Sequence, residues 1–226
     1  MTAGTRSAPR EAAPSAQTRR PTGAGLRLVR LHMVSRRAPV ALGLLTAFGA
    51  LLGTALHYHW SIAGGLAARM LVTLTIETGA AAVIAVTTHG PFGEPERATG
   101  RWLPWLRLGN ALALTAAAFG ALAAGAAAGV LPYGTWALLR NLAGTTGIGL
   151  LSAVVLGGAF GWVAPMAYLL VTEVALGGHP TTPWVWAAHP PHDRGAALCA
   201  SVVFVAGAVA ITVLGARGGG GRTDPR

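Results

Sequence analysis

Apolar residues run through this chain in long, nearly charge-free blocks, separated by short basic or Pro/Gly-rich segments. The blocks read Pro39–His57, Gly65–Thr88, Leu108–Leu131, Leu142–Gly161, a shorter Trp162–Leu176, and Ala196–Ala216. A helix of about 20 apolar residues covers the roughly 30 Å hydrocarbon core of a bilayer. The pattern therefore predicts an all-α fold, a polytopic transmembrane helix bundle of about six spans in the cell membrane. Spans and short connectors take up nearly all of the 226 residues, so no soluble catalytic domain is expected among them. Function then falls to the bundle, to its loops or to a partner.

The span count turns on residues 142–176, which carry a single charge, Glu173. As one helix this stretch would measure about 52 Å at 1.5 Å per residue, too long for the core. A break is predicted at Gly157-Gly158-Ala159-Phe160-Gly161, with Pro165 in the first turn beyond it, because glycine and proline punctuate helices. Six spans result.

Charge then orients the bundle. The chain is 53% hydrophobic and 11% charged, and all 17 of its basic residues are arginine. The net charge of +10 does not call for nucleic acid, since the arginines cluster beside spans. Cytoplasmic loops carry the excess of basic residues. Arg6, Arg10, Arg19, Arg20, Arg27, Arg30, Arg36 and Arg37 precede the first span, so the N-terminus is expected inside. Alternation puts Arg97, Arg101 and Arg107 inside as well, together with a C-terminal tail holding Arg217, Arg222 and Arg226. The expected organisation is a disordered cytoplasmic tail over 1–24, a basic segment over 25–38, a membrane domain over 39–216 and a cytoplasmic tail over 217–226. The 25–38 segment either lies in the membrane interface or merely orients the first span. Ser35-Arg36-Arg37 resembles an export signal, but Pro39 and five further spans argue for membrane insertion.

Chemistry-bearing residues are few. Glu77 falls near the middle of span two among Thr73, Thr75 and Thr78, and a carboxylate at that depth is a functional candidate unless the threonines or another helix satisfy it. Arg140 and Glu173 fall near the outer ends of spans four and five, where they are placed to pair across the bundle. Small residues at spacings of four (Gly49 and Gly53; Ala121, Gly125 and Gly129; Gly157 and Gly161) put close-packing faces on helices. His57, His59, His179, His189 and His192 fall in or beside the outside loops, without the fixed helical spacing of strong metal sites. Cys199, inside the last span, reads as a packing residue. Neither metal nor cofactor is expected. The segment 177–186, with Trp184 and Trp186, suits the membrane interface or a short re-entrant hairpin.

Taken together, the basic N-terminal segment, six spans, an inside loop between spans two and three and an aromatic outside segment between spans five and six resemble the permease subunits of ABC-2-type transporters. The run Arg140-Asn141-Leu142-Ala143-Gly144-Thr145-Thr146-Gly147-Ile148-Gly149-Leu150-Leu151 is similar to actinobacterial proteins of that kind, and an arginine-only, Ala/Gly-rich composition fits a high-GC bacterial source. The resemblance covers residues 26–216 and is one of layout. It implies a non-enzymatic subunit, paired with a like or different permease subunit and driven by a separate ATP-binding subunit. The matching contact segment is His89–Trp105, with Glu94, Glu96, Arg97 and Arg101 available for polar contacts. A lysine-free chain has no Gly-x-x-x-x-Gly-Lys phosphate loop, which agrees with ATP hydrolysis on a partner. Two other readings of the residues stand beside it: a non-transporting membrane interaction protein (an assembly or immunity factor) and a metal- or redox-binding bundle.

Overall fold

The computed structural model describes residues 38–58, 65–88, 103–131, 133–176 and 182–216. Among the described residues the regular secondary structure is all helical, joined by turns. The helices are α1 (Ala38–His57), α2 (Gly65–Thr87), α3 (Leu103–Ala126), α4 (Gly134–Val155), α5 (Val163–Leu176) and α6 (Arg194–Val213). Six segments are long and apolar enough to cross a membrane, the fifth running Gly158–Leu176. The expected tails, 1–24 and 217–226, and nearly all of the basic segment lie outside the described residues.

Local chemistry accounts for several helix ends. Pro39 and Pro104 fall in the first turns of α1 and α3, where a missing N–H breaks no helix bond. Asp193 caps α6, its Oδ1 accepting the Ala196 N–H at 2.8 Å, as short polar side chains do at helix starts. The predicted break between spans four and five is present. Gly157 adopts φ +103°, a conformation open to glycine. A 3-10 turn, Gly158–Phe160, follows, and Pro165 sits in the first turn of α5.

Two expectations change. Span four starts at Gly134 rather than Leu142, because a polar Arg140-Asn141 pair interrupts the apolar block without interrupting the helix. Arg140 therefore lies nearly two turns inside α4, and is buried. Gly157 and Gly161 do not share a helix face, since both lie in the break between α4 and α5.

α4 is the central helix: 72% of its span is buried, against 28% for α1 and for α6. It packs on α6, α2, α5 and α3, while α1 lies along α3 and α2. Small residues bring backbones together at two crossings. Between α1 and α3, Gly49 faces the Ala121 carbonyl, and Gly53 faces Gly125, the spacing-of-four sets read from the sequence. Between α4 and α6, Gly147 lies against the backbone of Val203 and Phe204, and Gly207 against Gly147. Larger side chains fill the remaining centre, with Leu45, Leu52, Ile84, Leu122, Leu138 and Leu142 forming one core cluster.

The polar distribution is that of a lipid-embedded bundle. Leu198, Val202, Val205, Val209 and Val213 form an outward stripe on α6, each more than half exposed. Glu77, Arg140, Asn141, Thr145, Thr146 and Thr172 are buried inside. Such an arrangement suits apolar surroundings, where outward apolar side chains cost nothing and polar groups seek partners within the protein.

The connectors alternate ends. The end of α1 and the start of α2 share a cavity with Ala128, Gly129 and Val130 after α3, and residues 131 and 133 before α4 line another together with Ala187 of the α5–α6 connector. At the other end, Arg107 in α3 lies over Gly215, just past α6.

Candidate functional site

Glu77 occupies the middle of α2 and is 1% exposed. Thr73 and Thr75 turn away from it. Thr73 donates its hydroxyl to the Arg69 carbonyl at 3.0 Å and Thr75 to the Leu71 carbonyl at 2.7 Å, each one turn back along the helix. The nearest polar neighbour comes from α4, where the Asn141 side chain acts on the Glu77 carboxyl. Glu77 Oε2 has no hydrogen-bond partner among the described residues.

Asn141 is oriented by its neighbour. Arg140 Nε donates to Asn141 Oδ1 at 3.2 Å, and a guanidinium nitrogen can only donate, so the Asn141 amide turns its NH2 toward Glu77. The other two guanidinium nitrogens grip the α5–α6 connector: Nη1 donates to the Pro190 carbonyl at 2.7 Å and Nη2 to the His189 carbonyl at 3.0 Å. Arg140 thus has all three of its nitrogens engaged with oxygen acceptors, and reaches Glu77 through Asn141.

The connector it holds is folded into the end of the bundle. Residues Trp186–Ala188 form a 3-10 turn, and Trp186 is 2% exposed. Its ring stacks on Tyr168 of α5 with centroids 4.6 Å apart and lies flat against Gly144 of α4. The Ala187 N–H donates to the Tyr168 hydroxyl at 3.4 Å. His189 then ties the connector to α6, with Nδ1 3.2 Å from Asp193 Oδ2 and Nε2 3.1 Å from the Thr182 carbonyl. The Ala196 N–H and then the adjacent His189 hold the Asp193 carboxyl below the usual carboxylate range. One polar chain therefore runs from the middle of α2, through α4, to the cap of α6.

Beside Glu77 is a cavity of about 20 Å³, lined by Thr73, Asn141, Tyr133 and the apolar side chains of Met70, Leu74 and Leu138 among others. That is space for about one water. Thr73 also borders a larger cavity of about 370 Å³ that carries His57 and Arg69.

Of the residues singled out by sequence, Glu77 and Arg140 come together, joined by Asn141. Glu173 does not pair with Arg140. It lies exposed on α5, and the extra turns of α4 direct Arg140 to connector carbonyls instead. Glu94, Glu96, Arg97 and Arg101 lie outside the described residues, as do His59 and His179. Among the described residues no group of three or more His, Cys, Asp or Glu side chains is placed to hold a metal ion. Sequence reading did not select Asn141, Tyr168 or Trp186 as one cluster. The available signal was the Arg140-Asn141 pair inside an apolar helix with Gly144 one turn later, a polar pair beside a slot for a ring.

No protein-family model matches the chain, nor does any curated protein or solved structure.

Proposed function

We propose that the chain is a membrane permease subunit of an ABC-2-type transporter, moving its substrate with ATP hydrolysed by a separate partner. The observation that carries this reading is the α5–α6 connector. It folds into one end of the bundle with Trp186 buried and Arg140 gripping its backbone, in the place of the aromatic outside segment of the family layout. α2 ends and α3 begins at the opposite end, and in this reading an ATPase on the arginine-rich cytoplasmic side binds the segment 89–102 that joins them in sequence. A push there acts along α2 toward Glu77 and along α3, and the helices move as packed bodies. The space beside Glu77 within one chain admits only about one water, so the pathway in this reading forms between two subunits.

That same narrow space favours one second reading, a non-transporting membrane protein that acts by binding another membrane protein. Gentle detergent purification of the tagged protein, with mass spectrometry of what remains bound, separates the two. A stoichiometric nucleotide-binding ATPase supports the permease. Paired Glu94→Ala and Glu96→Ala substitutions should then release that ATPase and abolish transport while leaving the bundle folded. Intact, folded protein that never retains an ATPase overturns the permease reading.

A further inference from the structure

We propose that the Glu77 pocket is a proton-binding site, served by a single water from the end of the bundle where the α5–α6 connector folds in. Two independent features point there. Glu77 is buried and its Oε2 has no partner among the described residues, and that oxygen belongs to a residue lining a cavity of one-water size. A buried charged oxygen left without a donor is costly in apolar surroundings. A water in the cavity supplies the missing donor when the carboxyl is ionised. When a proton is bound, the carboxyl donates its O–H to the same water.

The other charges near Glu77 leave this role open to it. From α4, Arg140 is the cation that acts on the carboxyl, and its three nitrogens are committed to Asn141, His189 and Pro190 oxygens. Ahead of α4, Tyr133 lines the cavity. From α5, Tyr168 faces Arg140 and the connector; in the connector, His189 and Asp193 bond each other. On α2 itself, Arg69 lines the larger cavity with His57. Among the described residues, α1 and α3 give apolar side chains to the core cluster, and the buried polar side chains of α3, Asn110 and Thr115, carry no charge. A metal cation fits poorly, because hard cations need several oxygens and the Asn141 amide presents NH2 here.

The transfer balances simply. A hydronium reaching the cavity passes one proton to Oε2, forming the carboxylic O–H and leaving a neutral water; release is the reverse. Thr73 borders both this cavity and the 370 Å³ cavity at the same end, which gives water a short way in.

The test uses the full chain in lipid vesicles and reads this chain's own chemistry, so its outcome is separate from whether an ATPase binds. Dicyclohexylcarbodiimide, which attacks protonated carboxyls in apolar sites, should leave a stable N-acylurea on the peptide carrying Glu77. Labelling should fall more than about tenfold from acidic to alkaline vesicles and vanish in Glu77→Gln. Infrared spectra should show a carboxylic C=O band that is lost in Glu77→Gln, moves in Glu77→Asp and shifts promptly in heavy water. Absence of both label and band at every pH would mean a permanently ionised Glu77 held by Asn141 and Arg140, and would overturn the proposal. A band that neither changes with pH nor responds to heavy water would mean a sealed neutral carboxyl, and would overturn it equally.

Discussion

Replacing Gly147 with alanine tests the packing at the centre of the bundle. A Cβ at this position would meet the Val203 carbonyl oxygen and the Phe204 Cα at 2.6 Å. Ordinary contact begins near 3.4 Å, so α4 and α6 must separate by about 0.8 Å, the difference between those two distances. The obstructing atoms are backbone and cannot rotate away. A gap of that size forfeits roughly a quarter to a half of the dispersion energy across a contact, and overpacking of this kind costs about 1–3 kcal/mol. Gly120 is the control, because a Cβ there meets nothing within 4 Å. Reversible unfolding in mixed micelles should show Gly147→Ala destabilised by about 2 kcal/mol, roughly a 30-fold change in the folding equilibrium, with Gly120→Ala unchanged or more stable. If the two variants unfold within about 0.5 kcal/mol of each other, α4 and α6 do not touch backbone to backbone as described.

The connector supplies the other predictions. Arg140→Gln removes the bonds to the Pro190 and His189 carbonyls, each worth about 1.5–3 kcal/mol as a charged bond. Limited proteolysis within residues 182–193 should accelerate, and Arg140→Lys, lacking the planar fork, should restore little protection. Trp186→Ala empties the slot between Tyr168 and Gly144 and should cost about 3–5 kcal/mol, read by thermal unfolding in detergent; a loss below about 1 kcal/mol would place the ring outside the bundle. For Asp193, the folded carboxyl releases its proton more readily than the ordinary value of 3.8. The stability it contributes is therefore complete above that value and falls away as pH drops through the lower, folded one. Acid unfolding of Asp193→Asn should lack this component, and an identical acid profile would show that the cap carries no charge effect.

Much of the architecture is legible in the amino-acid sequence, for a reason particular to membranes. A bilayer penalises exposed backbone polar groups so strongly that each long apolar block has to be a helix. Gly157 and Pro165 similarly declared the break inside residues 142–176, since both act through local backbone geometry. Hydropathy erred at the start of α4. It counts side-chain polarity, and Arg140 and Asn141 look like a span boundary until their partners are known. Their partners lie on α2 and on the connector, residues distant in sequence, so no local pattern could show that the helix continues past them.

Local sequence determined the six helices, the turn between α4 and α5 and the presence of a carboxyl in mid-span, because helix formation, glycine conformation and hydropathy all act within a few neighbouring residues. Tertiary structure alone decided that Arg140 turns to the carbonyls of His189 and Pro190 rather than to Glu173. It also decided that Asn141 presents its amide NH2 to Glu77 and that Trp186 lies against Gly144. Those choices depend on which helix faces meet, and small side chains at Gly147 and Gly207 allow α4 and α6 to meet closely enough to make them.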